Sequence, residues 1–270
     1  MPAVRLAGFL FVTILRGNMD VIRFDLTRYV RALFFAAMLT GATLTTTGVP
    51  AASADEGCPD VEVVFARGTF EPPGVGGIGQ AFVDELRAQP QLIGKSVDVY
   101  AVNYPASLNF STAADGVIDA SNRVRDMSTR CPSTKMVLGG YSQGAAVAGY
   151  VTADKIPDGY VAPDGITGPM PPEIAKHVAA VALFGKPSNG FLNTIDRSAP
   201  PITVGPLYVP KTIDQCVPED PICSPTGGDQ GAHQAYALNG MTMQAAGFAA
   251  EKVVAATTTT TPTPVPPKTS

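Results

Sequence analysis

The chain has 270 residues, 45% of them hydrophobic and only 16% charged, with a formal net charge of −4. Such a length and apolar content suit one sizeable α/β domain, and the charge balance argues against nucleic acid as a partner, since phosphate binding needs clustered Lys and Arg. With two histidines, His177 and His233, no Cys-x-x-Cys pair, no Walker-type loop and no strand-borne GxGxxG, neither a metal nor any other cofactor is expected.

At the N-terminus, Ala32 to Leu39 is almost wholly apolar and follows Arg23, Arg28 and Arg31; Ala52-Ser53-Ala54 then offers a small-x-small cleavage site before Asp55. Residues 1–54 read as a secretory signal peptide, because this apolar core is much shorter than the ~20 residues a spanning helix needs. Gly8 to Leu15 is a second apolar run, and Met19 is the expected true start, with residues 1–18 outside the gene product. The mature protein is therefore expected outside the cell or in its wall, with no membrane span. Four cysteines, Cys58, Cys131, Cys216 and Cys223, follow the cleavage site, and an even count in an exported chain points to two disulfides. Three pairings are possible; Cys216 and Cys223 are close enough to close a small loop, which leaves Cys58 for Cys131.

Strand and helix signals then alternate. Val61 to Ala66, Val97 to Val102, Lys135 to Gly139, Val178 to Phe184 and, more weakly, Tyr208 to Gln215 read as strands. Helical spacing covers Gln80 to Ala88, a segment capped by Ser111 and running to about Thr129, Gly144 to Ala153, and Gln244 to Val254. Strands buried on both faces and separated by helices predict a five-stranded, doubly wound parallel sheet with helices on both faces. Phe70 to Gly79 and Ile156 to Pro172 are rich in Pro and Gly and are expected as surface loops. The domain is expected over residues 55–256, and the Thr/Pro tail over 257–270 is expected to be disordered, serving as a glycosylated or wall-spanning extension or as an inert one.

Gly140-Tyr141-Ser142-Gln143-Gly144 is a G-x-S-x-G sequence between an apolar strand and an Ala-rich helix. A nucleophilic serine on such a turn needs glycines two residues to either side to relieve crowding. Its hydroxyl also needs a base. His177 lies at an element boundary and leaves little room for an acid after Ser142, whereas His233 fits the order serine, acid, histidine. Asp214, Glu219, Asp220 and Asp229 are the acids in between. Asp214 falls inside a strand and Asp229 on a flexible loop, while a disulfide would hold Asp220 rigidly between Cys216 and Cys223.

GGYSQGAAV, with ARGT upstream and C-x-x-x-D-x-x-C before a late histidine, resembles the cutinase family, in particular the cutinase-like proteins of mycobacteria, over about Cys58 to Val254. The resemblance implies an α/β-hydrolase fold and a catalytic triad of Ser142, Asp220 and His233. It also implies an oxyanion hole from Thr69 and Gln143, and disulfides Cys58–Cys131 and Cys216–Cys223. Thr69 stands where fungal members have serine and offers the same O–H donor. Two departures bear on substrate. Ser224 to Gln230, before the histidine, is polar where fungal cutinases are apolar. The Ile156 to Pro172 loop is longer, with Ile156, Tyr160, Val161 and Met170 expected to cover part of the site. The expected activity is therefore hydrolysis of short to medium acyl esters through an acyl-enzyme. A lipase or phospholipase A on longer chains, or a catalytically idle wall-binding protein, are the alternatives.

Overall fold

A computed structural model describes residues 57–258. The expected signal peptide, with the start at Met19, and the tail beyond its first two residues lie outside the described residues. Within them, strands β1 (Val61–Ala66), β2 (Val97–Ala101), β3 (Lys135–Tyr141), β4 (Val178–Phe184) and β5 (Thr212–Gln215) form one parallel sheet in the order β2-β1-β3-β4-β5. The helices are α1 (Gly76–Arg87), α2 (Ala113–Arg130), α3 (Gln143–Val151), α4 (Pro172–Ala175), α5 (Asn189–Ile195) and α6 (Met241–Thr258).

Burial explains the composition of the strands. β1, β3 and β4 are buried along their whole length, as strands covered on both faces must be, and the edge strands β2 and β5 are partly exposed. On one face Val63, Phe65 and Phe184 pack against α1 and α6; on the other Val64, Leu138 and Leu183 pack against α2 and α3. Glu62, the second residue of β1, is only 1% exposed. Arg123 of α2 donates to both its carboxylate oxygens, at 2.7 and 2.5 Å, so its charge is not buried alone. Both expected disulfides form, Cys58–Cys131 and Cys216–Cys223.

Element ends differ from the sequence reading for identifiable reasons. The expected loop Phe70 to Gly79 gives way to α1 at Gly76, because the Glu71 carboxylate accepts from the Gly68 and Gly77 amides at 2.6 and 2.7 Å. It satisfies a first-turn donor from outside the helix. Ser111 is not a cap: it lies in the 3-10 turn Phe110–Thr112 and donates to Asn109 Oδ1. The fifth strand is shorter than Tyr208 to Gln215. Pro210 has no N–H for a ladder, and Val209–Lys211 form a 3-10 turn in which the Lys211 amide donates to Tyr208 O at 2.9 Å. α6 extends beyond Gln244 to Val254 at both ends, and α5 has no counterpart in the sequence reading.

Candidate active site

The chain winds from β1 to β2 in one direction and from β3 onward in the other, so the carboxyl ends of β1 and β3 flank the crevice where doubly wound sheets bind ligands. Ser142 joins β3 to α3 there. Its backbone has φ 54° and ψ −118°, a conformation that costs a side-chain-bearing residue on the order of 1–3 kcal/mol. The Ser142 amide donates to Phe184 O at 2.9 Å. Both flanking glycines are required: a Cβ at Gly140 would lie 2.0 Å from the Gly144 carbonyl oxygen, and one at Gly144 would lie 1.9 Å from that of Ala66.

His233 is carried not by a loop but by a 3-10 helix, Ala232–Ala237. Its Nε2 lies 2.9 Å from Ser142 Oγ and its Nδ1 2.7 Å from Asp220 Oδ2. Asp220 is completely buried. Burial alone would push its carboxyl up, but hydrogen bonds from His233, from the Tyr236 hydroxyl and from the Ile222 amide outweigh it and hold the group below the usual carboxylate range. An ionised Asp220 only accepts, so His233 Nδ1 carries the proton and Nε2 presents its lone pair to Ser142. The Cys216–Cys223 bridge closes the loop around Asp220, and Cys223 Sγ lies 3.3 Å from its Oδ2.

The other sequence candidates lie apart from this chain of contacts. Asp214 pairs with Lys186 at 3.3 Å, and the Asp229 carboxylate accepts from the Gly231 amide. Glu219 receives the Asp229 amide on its backbone oxygen. His177 immediately precedes β4 and sits 3.1 Å from Pro132 O, at the opposite edge of the sheet.

Thr69 and Gln143 line the same cavity as Ser142 and His233, about 330 Å³ in volume. Gln143 opens α3, so its backbone N–H has no partner within that helix. Its buried side chain donates to Ser107 O at 3.0 Å, tying the elbow to the loop after β2. Thr69 is fixed by its neighbours. Arg67 donates to the carbonyls of Glu71, Val102 and Tyr104, and the next amide, Phe70 N, donates to Ala106 O at 2.8 Å.

Three features were not legible in the sequence reading. Tyr236 completes the shell of Asp220 and stands three residues after His233; at three residues per turn, a 3-10 helix puts both side chains on one face. Tyr141 donates through its hydroxyl to His233 O at 2.7 Å. The apolar wall of the cavity comes from Phe191, Leu192 and Ile195 of α5, with Leu108 and Phe110 opposite, and not from the segment before the histidine. The Ile156 to Pro172 loop also departs from expectation. Ile156 and Tyr160 border a neighbouring hollow, Val161 is 88% exposed, and Met170 is buried in the core.

A serine at a strained strand-to-helix elbow, an imidazole and a buried carboxylate on a five-stranded parallel sheet is the arrangement of the α/β hydrolases. Residues 57–253 match the family model described as Cutinase. The probable carboxylesterase Culp5 of Mycobacterium tuberculosis (strain ATCC 25618 / H37Rv) is 54% identical over 173 residues, 64% of this chain and 95% of that one. Phospholipase Culp4 of the same organism is 47% identical over 221 residues, 81% and 89%. Among solved structures, Trichoderma reesei cutinase in complex with a C11Y4 phosphonate inhibitor superposes with a TM-score of 0.51 at 31% identity, covering 74% of this chain and 77% of that one. An acetylxylan esterase superposes with a TM-score of 0.57 at 26% identity, covering 73% and 99%. The chain belongs to the cutinase family of carboxylic ester hydrolases.

Proposed function

We propose that the protein is an exported serine esterase that cleaves short to medium acyl esters through an acyl-enzyme on Ser142. The observation that carries this reading is the unbroken run of hydrogen-bond contacts from Ser142 Oγ through His233 to Asp220. In the first half-reaction Ser142 Oγ bonds to the ester carbonyl carbon while His233 Nε2 takes its proton. The oxyanion so formed accepts from the Gln143 N–H and from Thr69. When it collapses, the carbon–oxygen bond to the alcohol breaks and the imidazolium returns the proton to the leaving oxygen. Water then repeats the sequence on the acyl-enzyme, releasing the acid and restoring Ser142. Asp220 stays ionised throughout and stabilises the imidazolium.

Export is supported by the two disulfides together with the signal-peptide pattern of residues 1–54; among the described residues no helix is long and apolar enough to cross a membrane. The chain-length reading is supported by the size of the Ser142 cavity, about 330 Å³, which holds an acyl chain of limited length. A second reading, a lipase or phospholipase A, is favoured by Phe70 and Leu108, which border the cavity yet are 74% and 62% exposed, and by the likeness to Culp4.

A panel of p-nitrophenyl esters from butyrate to palmitate, with Ser142→Ala as control, separates the readings. The expected result is hydrolysis that falls with chain length, slow attack on insoluble polyester and none by the variant. Rates that rise toward palmitate favour the second reading, and no hydrolysis of any ester leaves a wall-binding role.

A further inference from the structure

Beside the Ser142 cavity lies a second hollow of about 190 Å³ that the reaction as described does not use. The start of α2 and the end of α3 form its floor, with Val117 and Ala153 facing it, and the loop after α3 forms its rim. That loop has no helix or strand between Ala153 and Pro171. Its Ile156, Tyr160 and Ile166 are only half-buried and turn toward the hollow instead of filling it. Protein interiors close around apolar side chains to near-crystalline density. An apolar hollow kept open beside a reaction centre is therefore a place for an apolar group of a ligand.

The two cavities adjoin: Phe110, Ala113, Tyr150, Asp196 and Ala199 border both, so two groups joined by a short linker can occupy them together. The charged side chain on that shared border is Asp196, half-buried and held below the usual carboxylate range by hydrogen bonds from the Ser198 hydroxyl and amide, whereas the exposed Lys155 lines only the second hollow. An ionised carboxylate there accepts from hydroxyls and repels a phosphate.

We propose that this hollow is a subsite for the second hydrocarbon arm of a two-armed neutral polyol ester. The scissile acyl group lies in the Ser142 cavity, the second acyl group lies beside Tyr160 and Ile166, and the hydroxyl-bearing linker lies near Asp196. This deepens the esterase reading and rests on it. Each methylene of the second arm that is fully buried raises kcat/KM by up to about fourfold, so a six-carbon arm produces a preference of at least about tenfold.

The test compares 1,2-dihexanoylglycerol with 1-hexanoylglycerol, both below the concentrations at which they aggregate, and uses p-nitrophenyl butyrate as a one-armed reference. The variants are Ala162→Trp and Ala114→Phe, each of which fills the hollow from a residue that does not line the Ser142 cavity. The wild type is expected to prefer the diester at least about tenfold. Either variant should abolish that preference while keeping butyrate hydrolysis within about twofold. A wild type without the preference, or a preference that survives both substitutions, overturns the subsite. Equal or faster hydrolysis of dihexanoylphosphatidic acid overturns the neutral linker. If the wild type fails to hydrolyse even butyrate, the esterase reading itself falls.

Discussion

The two histidines sit at opposite edges of one sheet and have opposite fates. At the amino edge, His177, Thr134 and Lys211 are tied to backbone carbonyls. His177 meets Pro132 O, Thr134 donates to Pro59 O at 2.6 Å, and Lys211 donates to Ala175 O and Val178 O at 2.5 and 2.7 Å. Burial brings the Lys211 ammonium down to about 8. These groups close off strand ends. At the carboxyl edge, Tyr236, Asp220 and His233 are turned on one another, and their run ends at a hydroxyl that faces a cavity. A polar group whose partners are all backbone does structural work; one whose last partner borders a hollow is available for chemistry.

The largest effect that separates the edges is a change of histidine. His233→Ala is expected to lower kcat on p-nitrophenyl butyrate by on the order of 10⁴ or more in protein that is still folded. His177→Ala should keep activity within about twofold. A dead His177 variant would place the chemistry at the wrong edge.

The carboxylates sharpen the same contrast. Asp220→Asn removes the charged partner of His233 and favours the wrong tautomer, for an expected loss on the order of 10⁴ in kcat, while Asp214→Asn and Asp229→Asn keep most of theirs. The linkage has a definite sign. The folded-state carboxyl of Asp220 is lowered, so its ionised form stabilises the fold above the ordinary carboxylate range, and this contribution is lost as pH falls through the folded value. Thermal melts should therefore show the gap between wild type and Asp220→Asn narrowing in acid. A gap that widens in acid would contradict the assigned environment.

The disulfides give the smallest effect, and in opposite directions. The Cys58–Cys131 bridge spans 73 residues and Cys216–Cys223 spans 7, for chain-entropy contributions of about 4 and about 2 kcal/mol. Replacing the first pair with serine is expected to lower Tm most and leave the kcat of the folded protein intact. Replacing the second should cost less Tm and more kcat, because its loop holds Asp220 against His233. Full activity in a folded Cys216→Ser/Cys223→Ser protein would remove that role.

Much of this contrast was legible in the sequence, for physical reasons. Central parallel strands are buried on both faces and therefore mostly apolar, so β1, β3 and β4 stand out despite Glu62 and Lys135. The elbow announces itself locally, because Gly140 and Gly144 are the only residue type that fits against the Gly144 and Ala66 carbonyls. What escaped depends on partners distant in the chain, or on short elements. α1 starts early because Glu71 reaches it from outside. α5 has seven residues and one buried side chain, Leu192; its signal was Ser188, whose hydroxyl accepts from the Phe191 amide as an N-cap. Without α5 the sequence offers no apolar wall for the cavity, and the polar stretch after Cys223 does not line it. Tyr236 is hidden because the Gly-rich approach to His233 reads as a loop, where spacing of three carries no meaning, and not as the 3-10 helix it forms.

The most direct measurement is to treat the folded protein with a serine-directed organophosphate and map the adduct by mass spectrometry. If the contacts at the carboxyl edge activate a single hydroxyl, as proposed, one adduct per chain is expected, on Ser142, and none in the His233→Ala protein over the same period. An adduct on another residue, or no adduct on folded wild-type protein, would contradict the account.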